Sequence, residues 1–227
     1  MMSLPQATRM APSTLLATLR DATRNEHTSL ERHPLLHSLV SDQLVLQDYL
    51  GFLAALLAFY RQLEPQLERK LPVDCQREGY RYLSRSALLM ADLDRLAGDL
   101  DTGQLPLLPL PDLSTADRVV GVLYVLEGAT QGGRVIAPRV IRLLSECQLP
   151  RNKLPQNKLS QDEWALGGSD GVQYLQLFRH GEWQRLQRVL ACVSRRSHSA
   201  GDVVAGATET FRCLGGYLDY YLAIKRY

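Results

Sequence analysis

An all-α fold of one domain is what this sequence predicts, and three observations predict it. Apolar residues recur at three- and four-residue spacing in segment after segment. No segment sustains the two-residue alternation of a half-buried strand. No pattern repeats at the longer periods that would signal a solenoid. A chain of 227 residues, 45% hydrophobic, fills one core without requiring a second. Residues 13–227 are therefore expected to form a single helical domain behind a disordered N-terminus, residues 1–12.

After Pro12, Ser13 or Thr14 can cap a helix whose inward face carries Leu15, Leu16, Leu19, Ala22, Thr23, His27 and Leu30. Arg20, Asp21, Arg24, Asn25 and Ser29 fall mostly elsewhere on it. Pro34 breaks the pattern, and a short helical piece follows over 35–40. Residues 45–69 predict a long helix whose centre, GFLAALLAFY, is apolar all round and hence deeply buried, with Pro65 placed to trim or kink its end. Over 77–97, Tyr80, Leu83, Ala87, Met90, Leu93 and Leu96 predict an amphipathic helix closed by Gly98. Pro106, Pro109 and Pro111 make 99–113 a connection, and Ser114-Thr115-Ala116-Asp117 reads as an acidic variant of a capping box that opens the next helix.

That next helix holds an apolar run, residues 119–126, followed by Gly128, Gly132 and Gly133. Three helical glycines in six residues cost about 3 kcal/mol against alanine, so something must approach that backbone closely. Gly128 and Gly132 are four apart and share a face, which bares a strip of main chain. A second helix could use the strip, and so could a flat ligand. A plain helix boundary, with Gly133 as a left-handed cap and a new helix over 135–145, satisfies the same residues. Beyond it, 148–161 and 167–171 read as irregular loops. Trp183, Leu186, Leu190 and Val193 predict a helix over 182–196, and Val204, Ala207, Phe211, Leu214, Leu218 and Tyr221 predict a last one over 203–224, capped by Asp202.

Composition excludes several classes. The net charge of +2, with basic and acidic residues interleaved, argues against nucleic acid as a partner. The longest apolar run, 50–60, is too short to span a bilayer, and no secretory signal opens the chain, so a soluble, cytoplasmic protein is expected. Cys75, Cys147, Cys192 and Cys213 form no C-x-x-C pair and read as reduced thiols. Nucleophile elbows, phosphate loops and dinucleotide fingerprints are absent, and the lack of any Glu-x-x-His argues against a di-iron site.

His27 is the first candidate for chemistry, since a neutral imidazole on an apolar face can bind a metal through one nitrogen. Glu31, one turn on, can take the other N–H and raise ligand basicity. A structural histidine at a helix edge fits the same spacing. His33, His37 and His198 read as surface residues and His180 as part of a turn. Glu127, in an apolar run, reads as a satisfied polar group rather than a functional acid. Arg20, two turns before His27, and Arg185 and Arg188 can each pair with carboxylates, although a solvated arginine is the commoner case.

Two stretches together, LRDATRNEHTSLE (residues 19–31) and LYVLEGATQGG (residues 123–133), resemble the signatures of the bacterial heme oxygenases, in particular the branch that supplies biliverdin to bacterial phytochromes. The resemblance implies a helical fold with heme between a proximal and a distal helix. His27 then corresponds to the axial iron ligand, Glu31 to the carboxylate behind it, Arg20 and Arg188 to basic residues at the propionates, and Gly128, Gly132 and Gly133 to the distal glycines of the catalytic face. Ala129 departs from the pattern, standing where many members carry an aspartate or serine that orders distal water. The implied reaction opens heme b, as substrate and cofactor, to biliverdin, carbon monoxide and ferrous iron. It consumes O2 and electrons from a ferredoxin, flavodoxin or reductase, and a phytochrome is a candidate acceptor of the product. A heme carrier without turnover is the alternative that Ala129 keeps open.

Overall fold

The computed structural model describes residues 12–97, 106–147, 171–196 and 200–224. The readings of 1–11, Gly98, the loop 148–170 and His198 lie outside them. Ten α-helices and no strand occur among the described residues, and no helix there is long and apolar enough to cross a membrane. α1 (Pro12–Ala22) and α2 (Arg24–Glu31) replace the one N-terminal helix expected, with Thr23 between them at φ −102°, ψ 6°. Helical assignment already begins at Pro12, a residue whose fixed φ suits a first turn. α3 (Pro34–Val40) is capped by His33, whose Nδ1 accepts from the Leu35 amide at 3.2 Å.

α4 (Leu46–Leu67) is the central column. Phe52, Leu53 and the residues from Ala55 to Tyr60 are buried, as the all-apolar run requires. Pro65 lies inside its last turn without stopping it, and the chain tightens only afterwards into a 3-10 turn, Glu68–Lys70.

The helix read over 77–97 is two helices, α5 (Val73–Arg77) and α6 (Arg85–Ala97), with a non-helical stretch at 78–84. Two causes divide them, one local and one from another helix. Gly79 has φ +69°, and the carboxylate of Glu64 on α4 accepts from the Arg85 amide at 2.5 Å, the Ser86 amide at 3.2 Å and the hydroxyls of Tyr82, Ser84 and Ser86. Those bonds satisfy the first amides of α6 and so place its start. Because the register counted from Tyr80 is not continued, Met90 is 42% exposed, while Leu89 and Leu93 are buried.

α7 (Ala116–Thr130) is capped by Thr115 rather than Ser114: the Thr115 hydroxyl accepts from the Arg118 amide at 3.1 Å, whereas Ser114 bonds back to Asp112. α8 (Gly133–Glu146) follows almost without interruption. A 3-10 segment, Tyr174–His180, was not legible in the sequence; Asp92 of α6 caps its entry by accepting from the amides of Gln173 and Tyr174 at 2.8 and 2.9 Å. It ends at Gly181, φ +75°, which confirms the turn at His180. α9 (Glu182–Arg196) and α10 (Gly201–Ile224) complete the chain. Asp202 sits inside the first turn of α10 and accepts from Thr115 of α7 instead of capping its own helix.

α7 and α10 make the most extensive helix pair, with α4 behind α10 and α9 beside α7. Both meet at glycine: a Cβ on Gly121 would stand 2.0 Å from the Val203 carbonyl, and one on Gly206 would stand 2.2 Å from that of Arg118. The α1–α2 arm lies across α9 and α10. All four cysteines are free, with only Cys75 buried.

Candidate functional site

Thr23, between α1 and α2, is the residue of the first stretch that acts on the second, through Tyr124. Its hydroxyl donates to the Leu19 carbonyl at 2.7 Å, a back-bond that favours a local bend, and it stands near enough to Tyr124 of α7 to act on its phenol. Burial raises the Tyr124 phenol above its ordinary value; Thr23 and the charge of Arg20 oppose that rise. His27 stands one turn past Thr23, its amide bonded to the Thr23 carbonyl at 2.9 Å. Gly128 stands one turn past Tyr124 on the same face of α7. α2, which carries His27, and the glycine-bearing α7 both pack against α10.

The sequence places the His27 ring against an apolar face. Phe211 of α10 supplies that face on one side, edge-on with centroids 5.8 Å apart. The imidazole is nevertheless 59% exposed, more open than its spacing suggests. No residue of α2 is buried, because the helix rides on the flank of α10 rather than entering the core. Nδ1 is 3.5 Å from Glu31 Oε2, and Nε2 has no protein partner among the described residues. One nitrogen oriented by a carboxylate and the other open is a donor set that suits a single axial metal ligand. A metal held by protein side chains alone has no counterpart: no group of three or more His, Cys, Asp or Glu that could hold an ion occurs among the described residues.

Between α7 and α8 the ladder tightens. Gln131 N donates to the Gly128 carbonyl at 3.0 Å, Gly132 N to Ala129 at 3.1 Å and Arg134 N to Gln131 at 3.2 Å. These are three-residue steps that keep the chain right-handed, with Gly132 at φ −58°. The left-handed cap at Gly133 is not formed; among the described residues the positive-φ glycines are Gly79, Gly171 and Gly181. Gly133 serves a close approach instead, since a Cβ there would stand 1.9 Å from the Leu175 carbonyl of the 3-10 segment. At Gly128 an added Cβ meets nothing nearer than Trp183 Cζ3 at 3.9 Å, and at Gly132 nothing nearer than the Ala129 carbonyl at 3.3 Å. Their bare strip is not filled by another helix.

Trp183 of α9 and Tyr124, with ring centroids 5.9 Å apart, form a wall beside Gly128. Sequence reasoning put both on buried helix faces and assigned neither to the site, although Tyr124 to Gly128 and Thr23 to His27 are the same four-residue step. Ala129 is exposed, and its polar neighbours bond to each other, Gln131 Nε2 donating to Thr130 Oγ1 at 3.1 Å. Arg20 is exposed. Arg188 is engaged elsewhere, with Nη2 donating to the Glu78 carbonyl at 3.0 Å and Nε 3.8 Å from its carboxylate. Arg185 is bonded to the His180 carbonyl and to Glu182. His33 is not the surface residue expected: its side chain is 9% exposed, and Nε2 is 3.2 Å from Asp219 of α10. With Nδ1 already accepting from Leu35, the proton belongs on Nε2, donated to Asp219.

Glu127 is satisfied, as its place in an apolar run suggests. Its Oε1 accepts from the Tyr80 hydroxyl at 2.7 Å and from Arg85 Nη2 at 2.5 Å, and both charged side chains are nearly fully buried. The guanidinium also donates to the Leu83 carbonyl and lies over the rings of Tyr82 and Tyr60. Burial, reinforced by the Glu127 charge, pushes the Tyr80 phenol well above its ordinary value. A groove of about 440 Å³ lined by Asp42, Val135, Pro138, Arg139 and Arg142 shares none of these residues.

Comparison with known proteins adds one finding. The sequence model of the heme oxygenase family matches residues 13–215, nearly the whole chain. No curated protein matches it. An all-helical domain whose described residues contain no strand agrees with that match. The chain belongs to the heme oxygenase family.

Proposed function

We propose that the protein cleaves heme to biliverdin, carbon monoxide and ferrous iron with O2 and electrons from an external donor, a ferredoxin, flavodoxin or reductase. The bacterial, phytochrome-associated branch is the one its two sequence signatures resemble, and a phytochrome would be the acceptor of the bilin in a cytoplasmic setting. The observations that carry the reading are an imidazole with one open nitrogen and a strip of bare backbone, on two helices that both pack against α10.

Heme supplies the iron at which oxygen is activated and is itself the molecule oxidised. His27 would take the iron through Nε2, with the Glu31 carboxylate 3.5 Å from Nδ1 behind it. A neutral imidazole donates less to the metal than a thiolate, which spares the chain an oxidant of a different kind. Gly128 and Gly132 would leave main-chain groups within van der Waals reach of a planar ligand, where side chains would fill the space. Arg20 is free to meet a propionate at the Tyr124 edge; Arg188 can do so only by leaving Glu78. Ala129 contributes no polar atom, so ordering of distal water falls to backbone carbonyls and to the Thr130–Gln131 pair.

Addition of hemin and a reductant tests this. A Soret band that forms and then gives way to a bilin spectrum is the expected result. A stable band instead supports a heme carrier, the reading that the apolar, exposed Ala129 favours. Hemin should bind the His27→Ala variant without the imidazole-ligated Soret band and without turnover; equal spectra for the variant and the wild type would remove His27 as the ligand.

A further inference from the structure

The tightened turn between α7 and α8 is held from beneath by a buried cluster, Glu127, Tyr80 and Arg85, to which the heme-cleaving chemistry gives no part. Gln131 N bonds to the Gly128 carbonyl and so leaves the carbonyl of Glu127 without its usual helical donor; the Thr130 hydroxyl takes it at 2.7 Å. A threonine bonding back along its helix is a device that bends it. The side chain of the same Glu127 points the other way, into the core, where Tyr80 and Arg85 hold it. Arg85 and Tyr80 are themselves fixed, Arg85 at the start of α6 through the Glu64 cap and Tyr80 by its amide, which donates to the Cys75 carbonyl at 2.8 Å. On the far side of the turn, Gly133 is pressed against the Leu175 carbonyl.

We infer that Tyr80 and Arg85, acting through Glu127, are positioning residues that hold the α7–α8 turn in the shape that presents the backbone of Gly128 and Gly132 to the ligand. The buried cluster resists displacement because withdrawing either partner leaves a desolvated charge or donor unpaired. Its lever arm is one residue long: Glu127 adjoins Gly128. The turn is then a preformed feature of the protein without its ligand. The identity of the ligand as heme rests on the function proposed above; the bracing of the turn does not.

Tyr80→Phe removes one hydroxyl and little volume, and it is the primary test. In the protein without heme, amide hydrogen exchange at Gln131, Gly132 and Arg134 should speed up by about tenfold, the population shift that one buried hydrogen bond supports, while amides of α4 and α10 keep their wild-type rates. With hemin added, the ferric absorption spectrum of the variant should show a changed balance of high- and low-spin forms. Glu127→Gln, which keeps an acceptor but removes the charge, should move both readouts further in the same direction. Unchanged exchange at the turn in folded Tyr80→Phe overturns the inference, and so does acceleration spread evenly over all helices, which is what a merely structural contact would give. Failure of wild type to bind hemin would sink the heme reading and leave the exchange result to decide the bracing on its own.

Discussion

Four glycines along α7 and α8 divide into two pairs that look alike in the sequence and differ in what faces them. Gly121 and Gly133 are closed by protein, with main-chain oxygens of α10 and of the 3-10 segment standing where a side chain would begin. Gly128 and Gly132 lie between them and are met by no other element's backbone. The first pair is accounted for by packing alone. The second costs helix stability without any packing return inside the protein, which is the pattern expected of positions kept bare for something that is not part of the chain. Spacing cannot separate the pairs; only the partner across the gap does.

Substitution should separate them. Gly121→Ala and Gly133→Ala each force a Cβ into a carbonyl of another element and should each lower the unfolding free energy by about 3 kcal/mol, read from denaturant midpoints. Wild-type stability in either variant would break the distinction. Gly128→Ala, whose Cβ would make only ordinary contact with Trp183, should instead raise stability by about 0.5–1 kcal/mol. If Gly128 faces the ligand, the same variant binds hemin more weakly; unchanged affinity together with raised stability would leave the glycine without a purpose. Gly132→Ala should follow Gly128→Ala with a smaller gain, because Ala129 O is nearer.

The closed side of the turn also differs from the open side in how it answers to alkali. Tyr60, Tyr80 and Tyr174 are held above their ordinary values by burial, and the Cys75 thiol, ordinarily at 9.0, is pushed up to about 12 by burial and the neighbouring Asp74 charge. These groups stay protonated in the folded chain where the unfolded chain has begun to lose its protons. Their contribution to stability is therefore complete below about pH 9 and declines as pH rises through the folded values. Melting temperatures should be flat up to that point and fall beyond it. Tyr80→Phe should soften the fall, and Gly128→Ala should leave its slope alone.

The periodic, strongly apolar parts of the fold were legible. α4 and α9 begin and end within two residues of their expected bounds, since a continuous or striped apolar run is a local property. What failed was decided at a distance. α6 starts at Arg85 because Glu64, on another helix, accepts from its first amides, and His33 is hidden because its two nitrogens serve α3 and Asp219 rather than water. In the candidate site, His27, Glu31 and the glycines stood out by spacing. The Tyr124–Trp183 wall and the Arg85–Glu127 pair did not, because each joins residues far apart in sequence whose pairing no local pattern announces.

The interlocked glycines of α7 and α10 carry a mechanical implication. Two backbones in direct touch at Gly121 and Gly206, with Arg118 bonded to Glu209 beside them, cannot part without tearing several contacts at once, so they behave as a rigid plate. The α1–α2 arm lies against the α10 side of that plate, and its second half carries no buried residue at all. What holds that half to the plate is surface contact, His27 edge-on to Phe211 and Glu26 paired with Arg212, so it can shift at less cost than the plate it rests on.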